Sequence, residues 1–224
     1  MNVVIDSFEK THIKLIETVG EGREPTPADL YKLDSYWKMQ NELKNVLQQL
    51  GNKEAKIFSK RFTDAFVEFY EAIALPSQKS FSTVDKIGAQ ALMENIWCAD
   101  GRSWSERVWK NVNKLQQALN DNLLACVVIG KPTSALKKAL QEDFGVSYRN
   151  ADSIARTELA HIQTQASRKR YIDYGCKEVE VYADKDERRC DKCGKLHHKR
   201  FPIGGAMPVP VHPNCRCCIL PVID

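Results

Sequence analysis

Between Arg188 and Cys218 the chain reads RRCDKCGKLHHKRFPIGGAMPVPVHPNCRCC, a stretch holding five of its eight cysteines and three of its five histidines. Cys190-x-x-Cys193 puts two thiols on one tight turn, and His212-x-x-Cys215 repeats that spacing further along. Together the pairs offer a four-coordinate sulfur and nitrogen set, the preference of structural zinc. Thiolates also select zinc over magnesium or calcium, which take hard oxygen donors. Cys217 is an alternate to Cys215 or His212, because Cys215-Arg216-Cys217 brings both sulfurs close, and the spacing leaves that choice open. Cys218 points to the opposite face of a strand from Cys217 and is expected in the core. Gly194 suits a left-handed turn after the knuckle. His197 and His198 are neighbours that cannot easily share one tetrahedral ion, so they read as surface residues. Four strong ligands make a closed site, whereas a catalytic zinc keeps one position open for water. The expected cofactor is one structural zinc ion. Its binding can supply on the order of 10 kcal/mol to a segment with few large apolar groups of its own.

The same loop is basic: Lys185, Arg188, Arg189, Lys192, Lys195, Lys199 and Arg200 lie in and beside it. Such a run can neutralise several phosphates and hold nucleic acid without reading its sequence. Asp184, Asp186, Glu187 and Asp191 are interleaved and offset part of that charge. Upstream, Arg156, Glu158 and His161 share one helix, a set that could be imagined as acid–base machinery. The simpler reading pairs Arg156 and Glu158 with the following strand or loop, and makes Glu158 and His161 neighbours by spacing alone. No nucleophile motif, phosphate loop or convincing carboxylate pair accompanies them, so no catalysis is expected.

The elements that must position these residues are mostly helices. A helix is predicted from Thr26 to Gly51, with Thr26 as cap, Pro27 in the first turn and Leu30, Leu33, Trp37, Leu43, Leu47 and Leu50 near one face. A second runs from about Lys53 to Leu75, ends at Pro76 and buries Ile57, Phe58, Phe62, Phe66, Phe69 and Ile73. A third covers about Thr83 to Trp97. Ser103 and Glu106 form a capping box opening a long helix through Val108, Val112, Leu115, Leu119 and Leu123 that Gly130 closes. A short helix, Thr133–Phe144, stops at Gly145. Asn150 then caps another that stops at Gly175. Beyond it KEVEVYA alternates like a half-buried strand, and CCILPVID reads as a last short strand. The fold class is therefore mainly α with a small C-terminal α+β zinc-stapled unit, divided near Arg149 into a helical region, 1–149, and a C-terminal module, 150–224.

Composition sets the frame. The chain has 224 residues, enough for one large or two small domains, with 43% hydrophobic and 28% charged residues and a net charge of +4. That excess is too small to argue nucleic-acid binding by itself. No run is long and apolar enough to suggest a membrane span, and MNVVIDSFEK lacks the basic start and apolar stretch of a signal peptide. A chain made in a reducing cytosol is expected, where clustered cysteines bind metal more often than they form disulfides.

Three segments in order, NADSIARTELAHIQTQASRKRYIDYG, ADKDERRCDKCGKLHHKRF and PVHPNCRCCI, resemble the head-morphogenesis family of tailed phages, the phage Mu F and SPP1 gp7 type. The Ala-Arg-Thr-Glu core is matched by Ala155, Arg156, Thr157 and Glu158, and the glycine that ends the helix by Gly175. Asp-x-Arg-x-Cys-x-x-Cys is matched by Asp186, Arg188, Cys190 and Cys193, and the Leu…Phe step by Leu196 and Phe201. His-Pro-x-Cys-Arg-Cys is matched residue for residue by His212 to Cys217. Tyr182 stands where the family often has Trp, Arg189 replaces a frequent Thr, and His198 replaces a frequent Gly. The resemblance implies a minor head protein, made in the bacterial cytoplasm and present in few copies in the virion. It would associate with the portal protein inside the capsid near the DNA exit, with the major capsid or scaffold protein and packaged DNA as further neighbours and an influence on DNA delivery.

Overall fold

The computed structural model describes residues 2–20, 23–74, 96–97, 100–129 and 133–223. In order these form α1 (Asn2–Val19), α2 (Pro27–Tyr31), α3 (Asp34–Ala72), α4 (Trp104–Ile129), α5 (Thr133–Tyr174), β1 (Glu178–Tyr182), α6 (Asp191–Leu196), β2 (Arg200–Pro202) and β3 (Cys218–Pro221). A mainly helical chain with a small C-terminal sheet is what the sequence led us to expect. No helix among the described residues is long and apolar enough to cross a membrane. The helix expected over about Thr83–Trp97 and the stops at Pro76 and Gly130 fall outside the described residues, Ile96 and Trp97 excepted.

The residues divide into two compact units, 1–54 with 108–151 and 55–107 with 152–224, so the division falls inside long helices and Arg149 lies within α5. The first unit has its own core. Met39, Leu43 and Leu47 recur every four residues on α3, and Val112, Leu115, Leu119, Leu123 and Cys126 recur every three or four on α4. Leu15 of α1, Leu30 of α2 and Leu136 and Leu140 of α5 complete it. Each such leucine contributes about 2 kcal/mol by leaving water. Thr26 and Asp29 exchange backbone and side-chain hydrogen bonds in a capping box that starts α2.

Two expected helix breaks are absent. Gly51 does not stop a helix: it extends the Met39–Leu43–Leu47 row at the next four-residue step. A Cβ built there would lie 2.6 Å from Trp109 Cζ3, so the glycine is where α4 presses an indole against α3. The chain breaks instead at Lys32–Leu33, between α2 and α3. That break turns Trp37 outward, where its indole N–H donates to the Tyr31 carbonyl at 2.8 Å. Leu50 and Ile57, also expected inside, are exposed. Gly145 and Asn150 likewise sit within a continuous α5. Asn150 does not cap: its amide donates sideways to Asn111 Oδ1 at 3.1 Å, while Asn111 donates to the Ser147 carbonyl at 3.0 Å.

The second unit has two clusters. Phe62, Phe66 and Tyr70 of α3 pack with Ile162 and Ala166 of α5. Tyr171, Val179, Val181, Ala183, Ile203, Val209 and Ile219 form the other, together with Cys193, Cys215 and Cys217. Arg170 donates from Nε to the Ile73 carbonyl at 3.2 Å, a cation placed beyond the end of α3 where the helix dipole favours it. Gly175 ends α5 at φ 98°, and the Cys176 N–H reaches back to the Tyr171 carbonyl at 2.9 Å. The three-stranded sheet has the order β2-β1-β3, all antiparallel, with Val179 opposite Phe201 and Val181 opposite Ile219. Val179 and Val181 are fully buried, as the alternation in KEVEVYA requires. Sequence reasoning singled out neither α1 nor the pair β2 and α6, the last two too short to carry a periodic signal.

Candidate metal centre

Each half of the cluster is made by a local turn. Cys190 caps α6, and its sulfur accepts the Cys193 N–H at 3.4 Å, so the capping bond itself turns both sulfurs to one side. Gly194 lies inside α6 and is not left-handed; the positive φ near this segment belongs to His198, at 60°. In the other half the Cys215 N–H closes on the His212 carbonyl at 3.1 Å. Pro213 fits the second position of such a turn, and Asn214, at φ 58°, takes the third, where asparagine tolerates the left-handed region better than most. That turn is held from α5. The Asn214 N–H donates to Thr157 Oγ1 and its amide to Ser153 Oγ, both at 3.0 Å.

The turns bring the five sequence-predicted donors together. His212 Nε2 lies 3.3 Å from Cys190 Sγ and 3.2 Å from Cys193 Sγ, and Cys193 Sγ lies 3.8 Å from Cys215 Sγ. Cys193, Cys215 and Cys217 form a second close triad, with sulfurs within 4.8 Å of one another. The cysteines are free thiols. Two sulfurs each about 2.3 Å from a tetrahedral ion stand about 3.8 Å apart, so the Cys193–Cys215 spacing fits one edge of such a site. His212 Nδ1 lies 2.8 Å from the Pro213 carbonyl, which takes its proton and leaves the Nε2 lone pair facing the sulfurs, the outer-shell arrangement usual for a ligating histidine. The donor chemistry and spacing can therefore hold a metal ion. The Cys193 N–H bond holds the Cys190 thiol down to about 7, while burial pushes the Cys193 thiol up and that of Cys217 to about 11. Crowded, dry thiols resist ionisation, and a bound cation reverses that preference.

The remaining candidates lie elsewhere. Cys218 is half-buried. His198 is exposed and paired with Glu180, as a surface residue should be, but His197 is partly buried and its Nδ1 accepts the Ala183 N–H at 3.2 Å. Lys185, Arg188, Arg189, Lys192, Lys195, Lys199 and Arg200 are all exposed. Arg156 pairs with Asp152 on its own helix at 2.9 Å, and Glu158 pairs with Arg107 of α4, so neither meets the strand or loop after α5. Glu158 is almost wholly buried and also accepts the Trp97 indole N–H at 3.0 Å. His161 stacks on Trp97 with centroids 4.4 Å apart. Nothing near Glu158 and His161 along the chain marks Arg107 or Trp97 as partners, because both come from chain far from the helix they serve.

Comparison with known proteins bears on the same region. Neither the curated proteins nor the solved structures contain a match. Residues 117–220, just under half of the chain, match the family described as phage Mu protein F like protein. The match spans all of α5, the sheet except Pro221 and every donor of the cluster. Over residues 117–220 the chain is thus similar to the phage Mu protein F like family, the one that the motifs resemble.

Proposed function

We propose that the chain is a minor head protein that associates with the portal protein during assembly. It stays inside the capsid near the DNA exit, with the major capsid or scaffold protein and packaged DNA as further neighbours. Its C-terminal unit is closed by one zinc ion on Cys190, Cys193, His212 and Cys215, with Cys217 as an alternate. The observation that carries this reading is the meeting of two family motifs, Cys-x-x-Cys and His-Pro-Asn-Cys-Arg-Cys, at one donor cluster. The ion would cross-link the turn before α6 to the turn before β3. Around it Cys193 binds and packs, the Thr157 hydroxyl orients the His212 turn, and Val179 and Val181 exclude water. Metal analysis of purified protein should give about one zinc per chain, and cobalt exchange should give sulfur-to-metal charge-transfer bands. Absence of metal, with Cys193→Ser melting like the wild type, overturns the zinc; failure to co-purify with the portal overturns the assembly role.

The proposed role is structural, without turnover. Glu158 and His161 are buried and already engaged, by Arg107 and Trp97 and by the Trp97 ring. A Glu158→Ala variant is expected to lose stability; an activity that vanished while the fold survived would sink this reading.

A second reading, nucleic-acid binding by the basic loop, has one observation in its favour. Arg216 binds Asp186 through contacts of 2.7 and 2.6 Å and lies 3.8 Å from Asp184, so it takes up acidic groups expected to offset the loop. Among the described residues no ion pair joins Lys185, Arg189, Lys192, Lys195 or Lys199, and Arg188 and Arg200 make only loose contacts at 3.9 and 3.7 Å. Binding to duplex DNA should weaken with salt at a log–log slope of about −0.9 per phosphate neutralised. A flat salt response removes this reading.

A further inference from the structure

Five donors are one more than a tetrahedral ion takes. They form two overlapping triads, Cys190–Cys193–His212 and Cys193–Cys215–Cys217, in which Cys193 is the shared member. The two unshared cysteines lie on opposite sides. Cys190 is exposed at the start of α6, whereas Cys217 is 7% exposed and packed among Val179, Val181 and Ile219. Resting on the metal-centre reading above, we propose that the centre is a ligand-exchange site: Cys190 from the solvent side and Cys217 from the core side are alternative fourth donors around a fixed Cys193, His212 and Cys215. Both resulting sets are three thiolates and one imidazole, so the exchange changes neither the net charge of the site nor its donor type. Cys217 follows Cys215 by two residues, and its sulfur lies within 4.8 Å of those of Cys193 and Cys215. The outer donor is the one that thiol reagents and oxidants reach, and the inner donor keeps the ion when the outer one is lost. The pairing differs from the sequence expectation, in which Cys217 stood in for Cys215 or His212.

The test is metal content and chelator competition on the full chain, wild type against Cys190→Ser, Cys217→Ser, Cys193→Ser and the Cys190→Ser/Cys217→Ser double variant. Cys190→Ser and Cys217→Ser should each keep about one ion per chain, with cobalt spectra of three thiolates. Cys193→Ser and the double variant should give the ion up at chelator concentrations at least tenfold lower. Cys190→Ser carries the test because its side chain lies outside the packed core. Alkylation of Cys190 in the folded, loaded protein is a second route and should release no zinc. If the wild type is loaded and Cys190→Ser empties as fully as Cys193→Ser, or alkylation frees the ion, the exchange is overturned and the metal centre stands. If the wild type holds no ion, both fall.

Discussion

Thr157 shows how a single hydroxyl in the Ala-Arg-Thr-Glu core reaches the distant loop. It donates to the Ser153 carbonyl at 2.7 Å and accepts the Asn214 N–H at 3.0 Å. Thr157→Val keeps the shape and leaves that N–H without its partner, which should cost about 1–3 kcal/mol in denaturant unfolding. Arg156 is about two-thirds exposed and, among the described residues, pairs only with Asp152 on its own helix, so Arg156→Ala should change stability by less than about 0.5 kcal/mol. His161 gives a pH signature. Burial, aided by the nearby Arg107 charge, pushes its imidazole down to about 4. Unfolded, the ring takes a proton near pH 6.5. As pH falls from about 6.5 towards 4, the unfolded chain binds a proton that the folded chain refuses, so stability falls across that window, by up to about 3 kcal/mol. Burial raises the Glu158 carboxyl, whose contribution runs the other way and is lost as pH rises. The single variant His161→Phe therefore isolates the effect: unfolding midpoints measured from pH 7 to 5 should slope less than those of the wild type. An unchanged slope would remove His161 as its source.

At the scale of elements, the contact of Gly51 with Trp109 sets two effects against each other. Alanine is the better helix former by about 1 kcal/mol, so in an exposed helix Gly51→Ala would stabilise. Here the added Cβ would lie 2.6 and 2.8 Å from two ring carbons, and either the indole or α4 must shift. Overpacking of this kind costs about 1–3 kcal/mol, so a net loss in thermal stability is expected, and a gain would show that the ring moves freely. This glycine also marks what the sequence could and could not reveal. Periodicity found the long helical stretches after Thr26 and both longer strands, because Leu43 and Leu47, or Val179 and Val181, declare their own buried face. It misread Gly51, Gly145 and Asn150 as punctuation. The same residues end a helix in isolation and sit inside one when a ring or a neighbouring amide claims the space, and that neighbour lies far along the chain. The cysteine and histidine donors were legible because metal spacing is local. The Arg107–Glu158 pair was not, because nothing near Glu158 in the sequence names its partner.

For the molecule as a whole, separate cores mean separate responses. The first unit is held by leucines from five helices, and its core holds none of the five donors. The sheet of the second is small: strands of five, three and four residues, burying Val179, Val181, Ile203 and Ile219 beside three of the thiols. A three-stranded sheet of that size needs a partner to be stable, and here the core positions that valine or leucine would fill are occupied by Cys193, Cys215 and Cys217. Sulfur donors packed as core residues would make a bound ion part of the core, so its removal would subtract from that cluster directly. Treatment with a strong chelator should raise amide exchange over residues 178–182, 200–202 and 218–221. Amides around Leu43, Leu47, Leu119 and Leu123 should keep their protection, and the helical circular dichroism should stay nearly intact. Equal loss of protection in both cores would mean that the chain unfolds as one cooperative body. No change in the strands would mean that valines and isoleucines alone hold the sheet, and that the cysteines are packing residues whose spacing only resembles a metal site.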